Sequence, residues 1–162
     1  MSRITFSPEG WRGLIAQEFT FANVAVIAQA VALYVETQGA REQGIIVGYD
    51  QDCLSHLFAE RAAEVLAGNG IRTLLLDSPK RKEEVASYVL FGHLAGALML
   101  LGTGEADRYS IQYVPAGAGL LTCEQAAAIN HLIYTIEAGT ETVRVTPYTR
   151  GIREGRIQKM ML

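Results

Sequence analysis

Cysteine is scarce in this chain, with only two cysteines among 162 residues. Cys53 and Cys123 lie far apart and form no Cys-x-x-Cys pair, which excludes the usual spacing of a zinc site and a disulfide framework. Both are expected to be buried or half-buried free thiols. His56, His93 and His131 each lie alone on a predicted helix with no i, i+4 partner, so we expect no metal site.

Blocks of like charge are also missing, and the formal net charge is -3. The segment after residue 143 has a mild basic bias, but it also holds Glu154 and lacks interleaved aromatic residues for stacking on bases. We expect this C-terminal segment to be solvated. Because nucleic-acid binding calls for a basic face, the charge pattern argues against a nucleic-acid partner.

Long apolar runs are absent as well. The longest, residues 85–101, contains Ser87, His93 and two glycines. It falls short of the roughly 18 to 20 residues that a membrane-spanning helix needs. The N-terminus shows no apolar signal segment. We therefore expect no membrane partner and a cytoplasmic location.

The chain does have enough apolar sequence for one domain over residues 1–162. Hydrophobic residues make up 49% of it and charged residues 19%, which is typical of an ordered globular protein. Strand-like and helix-like patterns alternate along the chain. The predicted strands are residues 44–50, 71–77, 96–101, 109–114 and 142–146. The predicted helices begin at Thr20, Ser55, Ser78-Pro79 and Thr122, and Tyr34, Tyr88 and Phe91 are expected in the core.

This alternation predicts an α/β fold, a three-layer α/β/α sandwich with a mixed, mostly parallel sheet. Ligands on such sheets lie beyond the carboxyl ends of the strands. The loops at residues 50–54, 77–80 and 102–108 are therefore the candidate site.

Two motifs resemble one known family. Ile4-Thr5-Phe6 followed by Gly10-Trp11-Arg12-Gly13 is similar to the strand and G-W/I-R-G motif that open the first domain of the phosphohexomutases, the phosphoglucomutase/phosphomannomutase family. Val47-Gly48-Tyr49-Asp50, followed by Ser55 and Phe58-Ala59, is similar to the family's V-G-x-D-x-R-x-x-S-x-x-F-A block. The resemblance extends in order over essentially the whole chain. It implies a first-domain fold and a link to hexose phosphate metabolism.

The departures from the family pattern fall on its chemistry. The pattern G-I-M-I-T-A-S-H-N-P-P-x-Y-N-G-x-K maps without gaps onto residues 96–112. In this alignment Gly102 replaces the serine that holds the transferred phosphoryl group. The other replacements are Thr103 for histidine, Gly104 for asparagine, Glu105 for proline, Gln112 for lysine and, in the earlier block, Asp52 for arginine.

The family reaction moves a phosphoryl group between the 1- and 6-positions of a hexose, so it needs a nucleophilic oxygen and Mg²⁺. Gly102 supplies no oxygen, and Thr103 is offset by one residue, which aims its side chain elsewhere. The family's Asp-x-Asp-x-Asp metal loop is absent, so we expect no cofactor in this chain. By this resemblance, the chain alone should not turn over hexose phosphate.

Phosphate binding rests on Arg12 and the loop Gly102-Thr103-Gly104. Arg12 matches a family arginine near the phosphoserine and could bind an anion, or it could form an ion pair or cap with Glu18. The glycine loop could present N–H groups to an anion, or it could be a flexible loop without function. Asp50 and Asp52 could bind a cation or cap the following turn.

Three functions stay open at this point. The chain is a mutase-derived domain, either cut from a longer protein or degenerate and inactive. Alternatively, it is a regulatory or binding module that associates with itself or with an intact mutase. The third reading is a binder of phosphate, sugar phosphate or another small anion or nucleotide.

Overall fold

A six-stranded sheet forms the centre of the structure, a computed structural model that describes residues 4–162. The strands are β1 (Trp11–Leu14), β2 (Ile45–Tyr49), β3 (Thr73–Leu76), β4 (Gly96–Gly102), β5 (Arg108–Pro115) and β6 (Ile157–Met160). Every residue of β2 and β3 is buried, because both strands are covered on both faces.

The sheet is mixed, with strand order β1-β5-β4-β2-β3-β6. β2 pairs in parallel with β4 and β3, and β3 pairs in parallel with β6. β5 runs antiparallel to both β4 and β1, so it is an interior strand and β1 forms the edge. The predicted mixed α/β sheet is confirmed.

Helices cover both faces of the sheet. They are α1 (Phe21–Thr37), α2 (Ser55–Gly68), α3 (Lys82–Phe91), α4 (Cys123–Glu137) and α5 (Tyr148–Glu154). α1 packs against both α2 and α4. The crossovers β2–α2–β3 and β3–α3–β4 run in opposite directions across the sheet. Because both are right-handed, α2 and α3 lie on opposite faces, which completes the three layers.

The helix starts follow the predicted caps at two of four places. The Thr20 hydroxyl accepts a hydrogen bond from Asn23 N–H, and Thr122 forms a capping box with Gln125. The prediction that Ser78-Pro79 begins α3 is wrong. Lys80 N–H donates to the Tyr49 carbonyl at 3.0 Å, which holds this loop extended, and α3 begins at Lys82 and ends at Phe91.

Ser55 is the first residue of α2, but it does not cap the helix. Its hydroxyl donates to Asp50 Oδ1 at 2.7 Å, and Leu54 occupies the N-cap position. The N-terminal strand that the resemblance implies at residues 4–6 is also absent. The Phe6 backbone instead bonds the Asn130 side chain of α4 through both its N–H and its carbonyl.

Two C-terminal predictions are wrong. Residues 142–146 form no strand, since Thr146 N–H donates to the Glu64 carbonyl of α2 rather than to a sheet partner. The segment predicted to be solvated instead forms α5 and β6, and β6 extends the sheet beside β3. Ile157 of β6 is fully buried, which explains why this strand docks.

Several burial predictions are also wrong. Cys53 and Cys123 are both exposed. Tyr88 and Phe91, expected in the core, are 44% and 80% exposed on α3. Tyr34 is half-buried and packs edge-to-face on Tyr113. Within residues 4–162, the helices are too short or too polar to cross a membrane.

Candidate functional site

The three candidate loops meet around one cavity at the carboxyl ends of the parallel strands. Its volume is about 620 Å³. The β2–α2 loop, the β3–α3 loop and the end of β4 line it, with residues Asp50, Gln51, Asp52, Pro79, Lys80, Arg81, Glu84, Gly102 and Gly104. The structure therefore brings Gly102, Gly104 and the Asp50/Asp52 pair together, as the strand ends predict. We call this cavity the Gly102 cleft.

Arg12 lies near the cleft but at its edge. Gly102 of β4 pairs with Tyr109 of β5, which pairs with Gly13 of β1. Arg12 is therefore two strands away from the end of β4, about 10 Å in backbone terms. Its side chain is exposed, and Glu18 accepts a hydrogen bond from Leu14 N–H rather than pairing with Arg12.

An aromatic cluster fixes the strands beneath the cleft. The Phe19 ring stacks on Trp11 at 5.4 Å and meets Phe58 of α2 edge-on at 4.8 Å. Tyr109 packs 5.6 Å from Phe58, and its hydroxyl accepts from Leu54 N–H at 3.3 Å. These contacts join β1, β5 and the start of α2, so the loop positions are set by a rigid base.

Asp50 ties the β2–α2 loop to the end of β4. Its Oδ2 accepts from Gly102 N–H at 2.9 Å. Its Oδ1 accepts from the Ser55 hydroxyl at 2.7 Å and from Asp52 N–H at 3.1 Å. Because both oxygens already have donors, the capping interpretation of Asp50 accounts for its position better than a cation site does.

Asp52 occupies the space that a side chain at position 102 would need. A Cβ atom built on Gly102 overlaps with Asp52 Oδ2 and lies 3.0 Å from Asp52 Cβ. The glycine is not required by its backbone, since Gly102 is not among the residues with positive φ. Position 102 could therefore carry a side chain only if the exposed Asp52 side chain moved aside.

The loop that follows Gly102 uses its donors internally. Gly102 N–H is bound to Asp50, and Thr103 N–H and hydroxyl both donate to the Arg108 carbonyl, at 3.4 and 3.3 Å. Glu105 pairs with Arg108 at 3.0 Å. Of the N–H groups of Gly102, Thr103 and Gly104, the first two are therefore already bonded and cannot receive an anion. The carboxylates of Asp50 and Asp52 lie beside Gly102.

The cations of the cleft are only partly available. Arg81 Nε lies 3.4 Å from Glu84 Oε1. The Arg81 backbone N–H and side chain both bond the Glu84 carboxylate and hold its pKa below the usual value. Arg81 thus pairs with Glu84 at the start of α3, while its side chain stays 82% exposed. Lys80 is half-buried and forms no ion pair with another residue in the described part of the chain.

The overlap of Gly102 and Asp52 predicts a coupled stability effect. Gly102→Ser is expected to cost about 1 kcal/mol, because Asp52 must leave its rotamer to admit the new side chain. In an Asp52→Ala background the same change should cost clearly less, because the carboxylate is gone and only the 3.0 Å approach of the two Cβ atoms remains. Urea unfolding of the four proteins measures the coupling.

Gly119→Ser is the matched control for that cycle, since nothing lies within 4 Å of a Cβ at Gly119. It is expected to leave stability unchanged. An equal cost of Gly102→Ser with and without Asp52 would show that the two residues do not compete for one space.

The six-stranded mixed sheet between two helix layers, with a cleft at the carboxyl ends of its parallel strands, defines a three-layer α/β/α domain. Residues 3–139 match the family model described as phosphoglucomutase/phosphomannomutase, alpha/beta/alpha domain I. The chain therefore belongs to the phosphoglucomutase/phosphomannomutase family. No curated protein matches it.

Solved structures share the fold. A protein described as a phosphomannomutase from Thermus thermophilus is 27% identical, with a TM-score of 0.80 over 99% of this chain and 34% of that one. A phosphoglucomutase/phosphomannomutase family protein from Burkholderia thailandensis is 13% identical, with a TM-score of 0.70 over 99% of this chain and 33% of that one. Parafusin, a phosphoglucomutase from Paramecium, is 12% identical, with a TM-score of 0.66 over 80% of this chain and 25% of that one. The chain thus spans about a third of the first two proteins.

Sequence reasoning marked Gly102 and Asp52 as separate departures and missed their contact. One signal pointed to it, since both residues replace family groups that carry or neutralise phosphate. The structure adds that the two changes are complementary in space, a glycine beside an acidic neighbour that fills the gap.

Proposed function

We propose that this chain is a phosphohexomutase first domain that holds no phosphoryl group and does not by itself interconvert hexose phosphates. The observation that carries the proposal is the Asp52 carboxylate standing where a side chain at position 102 would begin. A nucleophile is missing there, and the space for one is filled.

The electrostatics of the cleft support the same conclusion. Phosphoryl transfer needs cations around the moving charge. Here Asp50 and Asp52 adjoin Gly102, and Arg81 is paired with Glu84. Among the described residues that line the cleft, Lys80 is the one cation without an ion pair. Two carboxylates beside the reacting position would repel a phosphate rather than stabilise it.

Thr103 does not substitute for the lost serine. Its hydroxyl donates to the Arg108 carbonyl at 3.3 Å and accepts from Glu105 N–H at 3.4 Å. These bonds hold the hydroxyl within its own loop. A residue in this arrangement is a turn-stabilising threonine rather than a nucleophile with a base beside it.

The residues of the cleft also do not fit the family's Mg²⁺. The phosphoserine that would share the ion is absent, and both Asp50 oxygens accept hydrogen bonds from protein donors. Residues 4–162 contain no cluster of three or more histidine, cysteine, aspartate or glutamate side chains placed to hold a metal. No step of the proposed function therefore involves a metal.

A binding module is the second candidate function, favoured by one observation. Tyr88 and Phe91, one turn apart at the C-terminal end of α3, both expose apolar surface. An apolar patch of this kind marks interaction sites in many proteins. The partner in this proposal is a second copy or an intact mutase.

A turnover assay tests the proposed inactivity. The purified chain is incubated with glucose 1-phosphate, Mg²⁺ and glucose 1,6-bisphosphate, and glucose 6-phosphate is measured with a coupled dehydrogenase. We expect no product above the buffer control, because no residue at position 102 can relay the phosphoryl group. An intact phosphohexomutase serves as the positive control, and protein-dependent product from this chain would overturn the proposal.

A further inference from the structure

A separate cavity lies at the amino ends of the parallel strands, at the opposite end of the sheet from the Gly102 cleft. Its volume is about 310 Å³. The α1–β2 loop, the α2–β3 loop and the turn between α5 and β6 form its wall, and each of them contributes one arginine, namely Arg41, Arg72 and Arg156. We call it the arginine cavity.

The sheet brings these three arginines together from distant parts of the sequence. Arg72 directly precedes β3, and Arg156 directly precedes its parallel neighbour β6. The register pairs Thr73 with Ile157, so the two arginines precede adjacent strands side by side, about 5 Å apart in backbone terms. Arg72 N–H donates to the Arg41 carbonyl at 3.1 Å, which fixes the third arginine beside them. The backbone therefore determines where the three cations converge.

Two of the guanidinium groups lie over glycines in the cavity wall and beside it. Arg41 Nη1 lies 3.5 Å from the position that a Cβ atom would take on Gly70. Arg72 Nη1 lies 3.5 Å from the corresponding position on Gly44. Both glycines have positive φ, +75° at Gly70 and +92° at Gly44, which glycine adopts without strain. The turns thus leave room for both guanidinium groups along the loops that form the wall.

Cations outnumber anions in this wall. Its charged residues are Arg41, Arg72, Arg156 and Glu42. Arg156 pairs with Glu154 at 3.1 Å, but Glu154 also pairs with Arg150 at 3.0 Å. The other three charged residues of the wall form no ion pair within residues 4–162. Three arginines against one glutamate leave an excess of positive charge, and two of the arginines have no carboxylate partner.

Two helix ends explain how the fold tolerates this excess charge. α2 ends at Gly68 and α5 ends at Glu154, and the neighbouring Ala67 and Gly155 line the cavity. The C-terminus of a helix carries partial negative charge, which stabilises cations close to it. The helix ends therefore stabilise the arginines without neutralising them.

The excess charge selects the class of ligand. A metal ion or an organic cation is repelled by the arginines. Guanidinium groups bind phosphate oxygens through pairs of parallel hydrogen bonds. A monovalent anion neutralises only one of the two unpaired arginines, whereas a phosphate dianion or a diphosphate can bridge both. The buried residues Ala67 and Ile71 add an apolar floor, and the volume matches the lower end of small-molecule pockets, about 300 Å³.

We infer that the arginine cavity binds the phosphate or diphosphate group of a small molecule, held between Arg41 and Arg72 with Arg156 at its side. The site is independent of the Gly102 cleft and of the loss of phosphoryl transfer there. It gives the domain a way to respond to a phosphorylated compound that it does not convert.

An NMR titration tests the inference. Pyrophosphate is added to the ¹⁵N-labelled chain at millimolar concentrations and constant ionic strength, without added metal. We expect saturable shifts of the backbone amides of Arg41, Gly70, Arg72 and Arg156, and no comparable shift of Thr103 in the Gly102 cleft. Acetate, a monovalent anion, should give no saturable shift at the same ionic strength.

Two charge-removing variants make the test specific. Arg41→Gln and Arg72→Gln should each weaken pyrophosphate binding by about tenfold or more, since each removes a charge-assisted contact. Arg153→Gln is the matched control, because it removes the same charge from an exposed arginine of α5 that does not line the cavity. It should bind like the parent. Arg41 and Arg72 are both exposed, so the variants should fold, and thermal unfolding checks each one.

Four outcomes would overturn the inference. The first is the absence of any saturable shift with pyrophosphate, and the second is comparable binding of acetate. The third is unchanged affinity in folded Arg41→Gln and Arg72→Gln. The fourth is binding that is lost in Lys80→Met but kept in both arginine variants, which would place the anion in the Gly102 cleft instead.

Discussion

Replacing Gln29 with leucine is expected to destabilise the domain by about 2 to 4 kcal/mol, because it leaves buried polar groups without partners. Gln29 is fully buried in α1. Its side chain exchanges two hydrogen bonds with Asn69, at 2.9 and 2.7 Å, and accepts a third from Arg144 N–H at 2.9 Å. Leucine makes none of these bonds, although its volume is similar.

Urea unfolding measures this cost, and Gln17→Leu is the matched control. Gln17 is exposed, and its backbone N–H, not its side chain, bonds the Leu14 carbonyl. The control should change stability by less than about 0.5 kcal/mol. Equal midpoints for Gln29→Leu and the parent chain would mean that the network contributes nothing.

The Gln29 network also positions the C-terminal part of the chain. It fixes residue 144 to α1 and to Asn69 after α2, and Thr146 is held next by the Glu64 carbonyl. The chain then continues directly into α5 and β6, which carries Lys159. Loosening the network would therefore loosen the docking of β6 beside β3.

Much of the fold could be predicted because local patterns and tertiary structure agree. β2 and β4 are short apolar runs that sit buried in the sheet centre, and α1 and α4 begin at the residues whose side chains cap them. The secondary-structure prediction failed where the hydrophobic pattern was weak. β6 has only one fully buried residue, Ile157, so its sequence looked solvated.

The opposite error arose at residues 142–146. Val143 and Val145 alternate with polar residues, which is typical of a strand. The backbone there instead bonds the Gln29 side chain and the Glu64 carbonyl. No local pattern reveals a hydrogen-bond partner that lies more than 80 residues away, so sequence reasoning had no means of distinguishing the two cases.

The candidate site, like the fold, could be predicted from the sequence only in part. The sequence located the three loops and the changed residues within them. It could not place Asp52 against Gly102, because that contact depends on the register of β2 and β4, which pairs Tyr49 with Leu100.

The second prediction with a large effect concerns phosphorylation of the chain, which we expect to be absent altogether. We expect the chain to take up no phosphoryl group from glucose 1,6-bisphosphate, because Gly102 has no oxygen and Thr103 is tied to Arg108 and Glu105. Asp50 and Asp52 add negative charge at the same point. An intact phosphohexomutase, treated in parallel, should become phosphorylated under these conditions.

Intact-mass spectrometry after incubation with glucose 1,6-bisphosphate and Mg²⁺ is the most direct measurement of whether position 102 has lost its role. We expect the mass of the unmodified chain, with no phosphorylated species. A gain of one phosphate group, mapped by fragmentation to Thr103 or to any other residue of the 102–108 loop, would contradict the proposed loss of phosphoryl transfer.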